Sequence, residues 1–213
     1  VIGLDTSTAA TSVAVLRADG REVELRDDPA KPRHAATLQP LLEQALADAG
    51  TTWEVVERIC VGVGPGGFTG LRVGIATARA LAQSHGLPIV GVSSLEALAR
   101  GSGEREVLAV IDARRGEVFA AAYRGELCTL EPVAIAPAAL AERAPSRVAV
   151  GDGAVRFRAE LERAGVAVPP DDSHVHRVSA LMVCRLGRAR EPVARDALLP
   201  DYRREPDAAP QNP

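Results

Sequence analysis

A dense run of glycines in the first third of the chain constrains its fold more than any other feature. Six of the thirteen residues from 62 to 74 are glycine, in the order Gly62-Val-Gly-Pro-Gly-Gly-Phe-Thr-Gly-Leu-Arg-Val-Gly74. An apolar run at 59–63 precedes the glycines, and an Ala-rich segment at 68–84 follows them. This order predicts a strand, a glycine turn and a helix. Such a turn either cradles a phosphate with bare N–H groups or lets another backbone approach closely.

The phosphate interpretation rests on a match by letter alone. Gly62, Gly64 and Gly67 have the spacing of the dinucleotide-binding pattern. That pattern expects an acidic residue about 20 positions further on, and the stretch that begins at Gln83 contains none. The P-loop pattern fails as well, because Phe68 occupies the position of its lysine. The sequence therefore disfavours both kinds of nucleotide site.

The helix predicted after the turn carries its smallest residues on one face. Those residues recur every four positions: Gly70, Gly74, Ala78 and Ala82. Two glycines inside a helix cost roughly 2 kcal/mol relative to alanine. Close helix–helix contact is the natural way to offset that cost. The contact can lie within the fold or with another chain, and the spacing alone allows both.

The bulk composition limits the partners and the compartment. Aromatic residues make up only 3% of the 213 residues, which argues against stacking platforms for single-stranded nucleic acid. The net charge of −3 supplies no basic field that would attract nucleic acid unaided. Three scattered cysteines (Cys60, Cys128 and Cys184) and the lack of any apolar run of about 18 residues predict a cytoplasmic protein without a membrane span.

The first half of the chain has alternating strand and helix patterns. Strands are predicted at 1–5, 12–17, 21–26, 59–63 and 89–93, and helices at 35–49 and 68–84. The first helix is amphipathic, because its apolar residues recur at helical spacing: Leu38, Leu41, Leu42, Ala45 and Leu46. Pro40 fits this helix only if it lies in the first turn.

The second half opens as the first half does. A strand predicted at 107–112 ends in Asp112, turns tightly and returns, just as the strand at 1–5 ends in Asp5, turns and returns. Such a repeat predicts two related lobes. Two lobes that each open with an aspartate-ended hairpin are typical of the actin/hexokinase/Hsp70 (ASKHA) nucleotide-binding fold. We therefore predict an α/β fold with a duplicated mixed sheet and helices.

The lobe boundary is predicted near residue 100. The first lobe, 1–100, carries the two long helices, and 101–204 forms a smaller, degenerate second lobe. In the second lobe, helices are predicted at 137–143, 154–164 and 179–190, with a strand near 147–150. Residues 205–213 are rich in Pro, Asp and Ala and are expected to form a disordered tail.

The two hairpin turns supply candidate phosphate-binding residues. The first turn offers four of them: Asp5, Thr6, Ser7 and Thr8. The second turn, which begins at Asp112, fits the role poorly, because Arg114 and Arg115 stand where a phosphate loop uses small residues. Asp112 is therefore interpreted first as a polar residue that ends its strand, and the whole set as vestigial.

Six blocks of sequence, in order along nearly the whole chain, resemble the TsaB (YeaZ) family. They are Gly3-Leu-Asp-Thr-Ser7, His34-x-x-Thr-Leu-x-Pro-Leu41, the glycine block extended to 61–78, Gly91-Val-Ser-Ser-Leu-Glu-Ala-Leu98, Val110-Ile-Asp-Ala-Arg-Arg-Gly-Glu-Val118 and Pro200-x-Tyr-x-Arg204. The resemblance implies the two-lobed fold and a part in making threonylcarbamoyladenosine in bacterial tRNA.

The resemblance also implies a subunit without catalysis of its own. TsaD, the catalytic relative, binds a metal through Asn-His-Leu-Glu-Gly-His, and here Ser94 and Leu98 stand in place of the two histidines. Leucine offers no lone pair, so the metal half-site is lost. His34 and His85 are isolated, and the His174-x-His176 pair lies in a Pro/Asp-rich stretch. We therefore expect no catalytic residue, no metal and no cofactor.

The partners follow from the same resemblance. It implies that the chain pairs with TsaD, that the ATPase TsaE docks on the pair, that TsaC supplies the activated threonylcarbamoyl adenylate, and that helices 35–49 and 68–84 form the pairing surface. The expected interface residues are Leu38, Leu41, Leu42, Ala45, Leu46, Gly70, Leu71, Gly74, Ile75, Ala78 and Ala82. A homodimer is expected when the partner is absent, and contact with tRNA at most indirect or weak.

Two other functions compete with this one. The Asp5 turn and the duplicated hairpin are compatible with an ATP-dependent phosphotransferase of the actin/hexokinase class. A metalloprotease would need a His-Glu-x-x-His motif or a ligand cluster with zinc spacing, and the sequence contains neither.

Overall fold

In the computed structural model, which describes residues 1–27, 33–143 and 146–203, the first half of the chain forms a five-stranded mixed sheet. Its strands are β1 (Ile2–Asp5), β2 (Ser12–Leu16), β3 (Glu22–Arg26), β4 (Ile59–Gly64) and β5 (Ile89–Ser93). The spatial order is β3-β2-β1-β4-β5, in which β1 pairs antiparallel with β2 and parallel with β4. The aspartate that ends β1 therefore lies at the same edge as the glycine turn that follows β4.

Two long helices cover one face of this sheet. They are α1 (His34–Ala49) and α2 (Phe68–His85), each of which ends at a glycine in the left-handed conformation. Their apolar residues pack against alternate residues of β1, β2 and β4 in a single core that includes Leu42, Ile75, Leu4 and Val61. A third helix, α3 (Ser94–Gly101), lies on the other face and begins with Ser93 as its N-cap. The two faces of the sheet thus belong to two separate cores.

The second sheet repeats the first in strand order and direction. Its strands are β6 (Glu106–Arg114), β7 (Glu117–Arg124), β8 (Leu127–Ile135) and β9 (Ala149–Val150), in the order β8-β7-β6-β9. β6 pairs antiparallel with β7 and parallel with β9, as β1 does with β2 and β4. This duplicated mixed sheet confirms the predicted two-lobed ASKHA-like fold. The helices of this half are α4 (Pro137–Arg143), α5 (Asp152–Arg156) and α6 (Arg158–Arg163).

The chain then returns to the first sheet. The last helix, α7 (Ala180–Arg188), packs so closely on that sheet that a Cβ on Gly3 would overlap the Ala180 carbonyl oxygen. Beyond it, Val193 N donates to Ile89 O (3.0 Å) and Asp201 N donates to Val63 O (2.7 Å). The lobe predicted for 101–204 is therefore wrong in its last part, since these contacts join residues 180–202 to the first sheet. The predicted tail, 205–213, lies outside the described residues.

Most predicted elements are present, with four differences. Neither α3 nor β8 was predicted, and the helix predicted at 154–164 is two short helices that meet at Phe157. Pro40 was expected to fit the helix only in its first turn, but α1 begins at His34, so Pro40 is its seventh residue. The proline is tolerated there because it and Ala36 are both exposed, which leaves the Ala36 carbonyl to water.

None of the helices in the described part of the chain combines the length and the hydrophobicity needed to cross a membrane.

The small-residue face of α2 packs against the first hairpin turn of the same chain. Thr6 Oγ1 donates to Gly70 O (2.8 Å), and Gly67 N donates to Ser7 O (2.7 Å). A Cβ on Gly70 would overlap the Thr6 carbonyl oxygen, and one on Gly74 would overlap Thr6 Oγ1. The glycines are thus explained by a close approach inside the fold. The contact is between a helix and a turn, and not the helix–helix contact that the spacing suggested.

We expect Gly70→Ala to destabilise the protein by roughly 2–3 kcal/mol, because the new methyl group has to displace backbone atoms of Thr6. Gly101→Ala is the matched control. Gly101 also lies in a helix, and its added Cβ would meet only the Ser179 Cβ, at 3.7 Å. The control should be neutral or stabilising by up to about 1 kcal/mol. Urea unfolding measures both changes, and equal midpoints for the two variants would contradict the proposed packing.

Candidate functional site

A cleft between the two sheets contains most of the predicted phosphate-binding residues. Its cavity has a volume of about 640 Å³. Three parts of the chain line it: the first turn from Thr6 to Ala9, the starts of α1 and α2, and the end of β6 with Asp152. Thr6, Ser7, Thr8 and Asp112 all reach this cavity, while Asp5 is buried directly beneath it, with 1% of its surface exposed.

Asp5 is held entirely by hydrogen bonds within the chain. Its Oδ1 accepts from Ser7 N (3.0 Å) and Ser7 Oγ (2.7 Å), and its Oδ2 accepts from Ser94 Oγ (2.9 Å). Ser94 Oγ in turn accepts from Gly64 N (3.2 Å). Burial raises the pKa of the Asp5 carboxyl, and the bonds from Ser7 and Ser94 only partly oppose that rise. The carboxylate joins β1, β4 and the start of α3, so it has a structural role.

The hydroxyl side chains of the two residues after Asp5 also make hydrogen bonds within the chain. Thr6 and Ser7 are buried, and their hydroxyl groups donate to Gly70 O and Asp5 Oδ1. Thr8 alone among the four first-turn residues is partly exposed. A ligand that entered the cleft would therefore reach one hydroxyl side chain of the predicted turn. The Asp5 carboxylate would stay out of its reach.

The second hairpin turn closes the opposite wall with ion pairs. Asp112 Oδ2 accepts from Arg156 Nη1 (2.7 Å) and lies 3.3 Å from Arg114 Nη1, and the Asp112 side chain is only 7% exposed. Its backbone N donates to Asp152 Oδ1 (3.0 Å), and burial raises the pKa of Asp152. Arg114 and Arg115 both have positive φ, 64° and 55°. Asp112 is therefore paired with Arg114 and Arg156, which fits its interpretation as a polar residue that ends its strand.

A hydrogen-bond network that sequence reasoning missed fixes the start of α1 at the rim of the cleft. Asp27 Oδ2 accepts from Thr11 Oγ1 (2.9 Å) and Thr37 Oγ1 (3.0 Å). Because a carboxylate only accepts, the Thr11 hydroxyl donates its hydrogen bond to Asp27. The Thr11 oxygen can then accept a hydrogen bond from His34 Nδ1, 3.0 Å away. The His34-x-x-Thr37 spacing, which puts both side chains on one helix face, was the available signal.

The two residues expected to stand in place of the TsaD metal-binding histidines have structural roles. Ser94 bonds Asp5 and Gly64, and Leu98 is buried in the core between the sheets. His176 is buried as well: its Nδ1 accepts from Gly151 N (3.1 Å), so its Nε2 carries the proton and donates to Pro169 O (3.1 Å). Within the described residues, no three His, Cys, Asp or Glu side chains are grouped so that they could hold a metal ion.

The structure corrects the predicted apolar pairing surface. Leu41 is half-buried, and the other ten predicted residues are buried inside this chain: Leu38, Leu42, Ala45, Leu46, Gly70, Leu71, Gly74, Ile75, Ala78 and Ala82. Their helical spacing is the spacing of core contacts, which is why the pattern misled. The outward surfaces of the two helices consist of other residues, among them Ala36, Pro40, Glu43 and Ala47 of α1 and Thr69, Ala76, Ala80 and Ser84 of α2.

Comparison with known proteins gives consistent matches. Residues 28–152 match the family model of TsaD, tRNA N6-adenosine threonylcarbamoyltransferase. An uncharacterized protein of Mycobacterium tuberculosis is 34% identical over 211 residues, which cover 99% of this chain and 94% of that protein. The TsaB protein of Escherichia coli, named for tRNA threonylcarbamoyladenosine biosynthesis, is 38% identical over 128 residues, which cover 58% of this chain and 54% of that protein.

A solved structure extends the match over the whole fold. YeaZ from Pseudomonas aeruginosa superposes with a TM-score of 0.78 at 30% sequence identity, covering 94% of this chain and 98% of that chain. The match therefore spans most of both lobes.

We expect Asp5→Asn to become more favourable relative to the wild type as the pH rises. The raised pKa means that folded Asp5 binds a proton at pH values where the unfolded chain has released it. Wild-type stability is therefore lost from about pH 4 up to the raised pKa and then levels off, whereas asparagine has no such loss. Urea unfolding from about pH 3.5 to about pH 8 measures the difference in unfolding free energy between the two proteins.

The control for this experiment is Asp5→Leu, which removes the acceptor for Ser7 N. Leucine does not titrate either, so the difference between Asp5→Leu and the wild type should change with pH as it does for Asp5→Asn, with Asp5→Leu less stable than Asp5→Asn by roughly 2 kcal/mol at every pH. A difference between Asp5→Asn and the wild type that stays constant across the pH range would contradict the assignment of the burial effect to Asp5.

Proposed function

The chain belongs to the TsaB (YeaZ) family, and we propose that it serves in tRNA threonylcarbamoyladenosine biosynthesis as a non-catalytic subunit that pairs with TsaD. A part in this biosynthesis follows from the family. The non-catalytic role and the pairing are the proposal. The observation that carries the proposal is that, in the first hairpin turn, the side chains of Asp5, Thr6 and Ser7 make hydrogen bonds within the chain.

The geometry of the cleft supports the non-catalytic role. General acid–base or metal-assisted chemistry needs a group within hydrogen-bond reach of the substrate. Asp5 is buried under Ser7, Asp112 is neutralised by two arginines, and Ser94 and Leu98 replace the metal-binding histidines. The cleft therefore offers a cavity of about 640 Å³, while its charged groups stabilise the fold.

The outward surface of α2 supports the pairing. Thr69, Ala76, Ala80 and Ser84 are exposed, and the half-buried Val73 and Thr77 lie beside them. These six residues, which we call the outer face of α2, are all uncharged, and most of them are small. A helix with such a surface allows close approach of a second helix over several turns. The proposed docking surface is therefore this outer face, and not the buried apolar residues that were first expected to form the interface.

Further assembly is part of the same proposal. TsaE would dock on the pair, no cofactor would be needed by this chain, and a homodimer through the same face would form when TsaD is absent. The net charge of −3 favours at most indirect or weak contact with tRNA. We also propose that the protein works in the cytoplasm, where its tRNA substrate would be made.

The alternative, an ATP-dependent phosphotransferase, is favoured only by the cavity and by the position of Thr8 within it. Calorimetric titration of the purified chain with Mg-ATP separates the two functions. Tight binding with turnover would support the phosphotransferase and overturn the proposal.

We expect Ala76→Arg to weaken pairing with TsaD by at least about tenfold, because it places a long charged side chain in the centre of the outer face. Ala138→Arg makes the same change at an exposed position of α4 and should bind as the wild type does. Size-exclusion co-elution and calorimetry with TsaD from the same organism measure both. The unfolding midpoints of both variants should match that of the wild type. If Ala76→Arg binds TsaD with wild-type affinity, the outer face is not part of the interface.

A further inference from the structure

An aromatic and cationic cluster lies where the end of the described chain meets the start of α2. The Phe68 and Tyr202 rings stack with centroids 5.5 Å apart and an interplanar angle of 28°. The Arg72 guanidinium lies over the Phe68 ring, 3.8 Å from its centroid, and Arg72 Nε donates to Tyr202 Oη (3.0 Å). We call Phe68, Arg72 and Tyr202 the α2 corner. Its three side chains hold one another in a single arrangement.

The segment that precedes Tyr202 is fixed along the sheet edge. Val193 bridges to Ile89 on β5, and Leu198 is 3% exposed and packs against the first core. Asp196 forms an ion pair with Arg79 of α2 (2.7 Å), and Asp201 N bonds Val63 O. The Tyr202 ring is therefore held in place before any partner arrives. A contact made by such a side chain loses little conformational entropy on binding.

The corner leaves large apolar side chains exposed. Of the six exposed large hydrophobic residues in the described part of the chain, four lie here or on the segment leading here: Phe68 (43%), Val193 (43%), Leu199 (66%) and Tyr202 (42%). Arg72 forms no ion pair among the described residues, and α2 contains no Asp or Glu. Fixed aromatic rings beside an arginine have the composition of energetic hot spots at protein interfaces.

The corner continues the outer face of α2. Phe68, Arg72, Ala76 and Ala80 recur every four residues and so follow one line along the helix. All four are exposed. This line lies on the opposite side of the helix from the buried line that starts at Gly70. A partner helix laid along the outer face would meet the corner at its end.

We propose that the α2 corner anchors TsaD where TsaD docks on α2. The matching surface of TsaD would be apolar and would carry a carboxylate opposite Arg72. The inference rests on the proposed pairing with TsaD. Because Nε of Arg72 is bonded to Tyr202, the two Nη groups are the donors left for a partner and can donate to both oxygens of one carboxylate. The apolar part of the partner surface covers the two rings.

The test is the affinity for TsaD of four variants at low and at high salt. Tyr202→Ala should raise Kd about thirtyfold, as expected for a hot-spot truncation of about 2 kcal/mol. Arg72→Gln should raise Kd about tenfold and flatten its salt dependence, since the charged contact is gone. Tyr202→Phe keeps the ring but loses the bond to Arg72 Nε, so it should raise Kd by only about threefold, far less than Tyr202→Ala does. Arg163→Gln, the matched loss of one charge at an exposed position of α6, should also change Kd by less than about threefold.

The outcomes separate this inference from the pairing itself. If the wild-type chain does not bind TsaD, the proposed function fails. If the wild type binds and both Arg72→Gln and Tyr202→Ala bind equally well, the corner is not the anchor, although the pairing stands. Urea unfolding of each variant detects a loss of structure. A salt dependence that persists unchanged in folded Arg72→Gln overturns the carboxylate contact.

Discussion

The close approach of the first hairpin turn to the start of α2 organises this molecule. Thr6 and Ser7 lie against the helix at positions where a side chain on Gly66, Gly70 or Gly74 would collide with them. Asp5 is buried beside this contact, and its bond with Ser94 ties the start of α3 to β1, while Ser94 also bonds Gly64 at the end of β4. In a nucleotide-binding relative of this fold, that turn would face phosphates. Here it assembles the lobe, and the side-chain hydrogen bonds of Asp5, Thr6 and Ser7 are made within the chain.

This arrangement divides α2 into two lines of residues with different roles. The inner line, from Gly70 to Ala82, is sealed against the first turn and the sheet. The outer line, from Phe68 to Ala80, is exposed, and its Arg72 and Tyr202 hold the first ring of the line in place. A helix that is rigidly packed on its inner side is a suitable platform for a partner on its outer side, because little order has to be gained on binding.

Sequence reasoning predicted the repeated hairpins, and through them the duplicated sheet, because aspartate-ended apolar strands are a local signal. It could not show which partner the small-residue line of α2 meets, since spacing gives a helix face but not its neighbour. It missed β8, where Pro132 and exposed polar residues weaken the strand pattern, and the return of α7 to the first sheet, which depends on contacts between residues far apart in sequence. The His34–Thr11–Asp27 network was missed for the same reason.

The central claim, that α2 is sealed on its inner line and covered by a partner on its outer line, is tested most directly by thiol labelling. Single cysteines at Ala76 (outer) and Ala78 (inner), in a chain whose partly exposed Cys128 is replaced by serine, report the two faces of one helix turn. The account predicts fast labelling of Ala76→Cys alone, protection when TsaD is added, and no labelling of Ala78→Cys until the protein unfolds. Rapid labelling of Ala78→Cys in the folded chain, or unprotected Ala76→Cys in a TsaD complex, would contradict it.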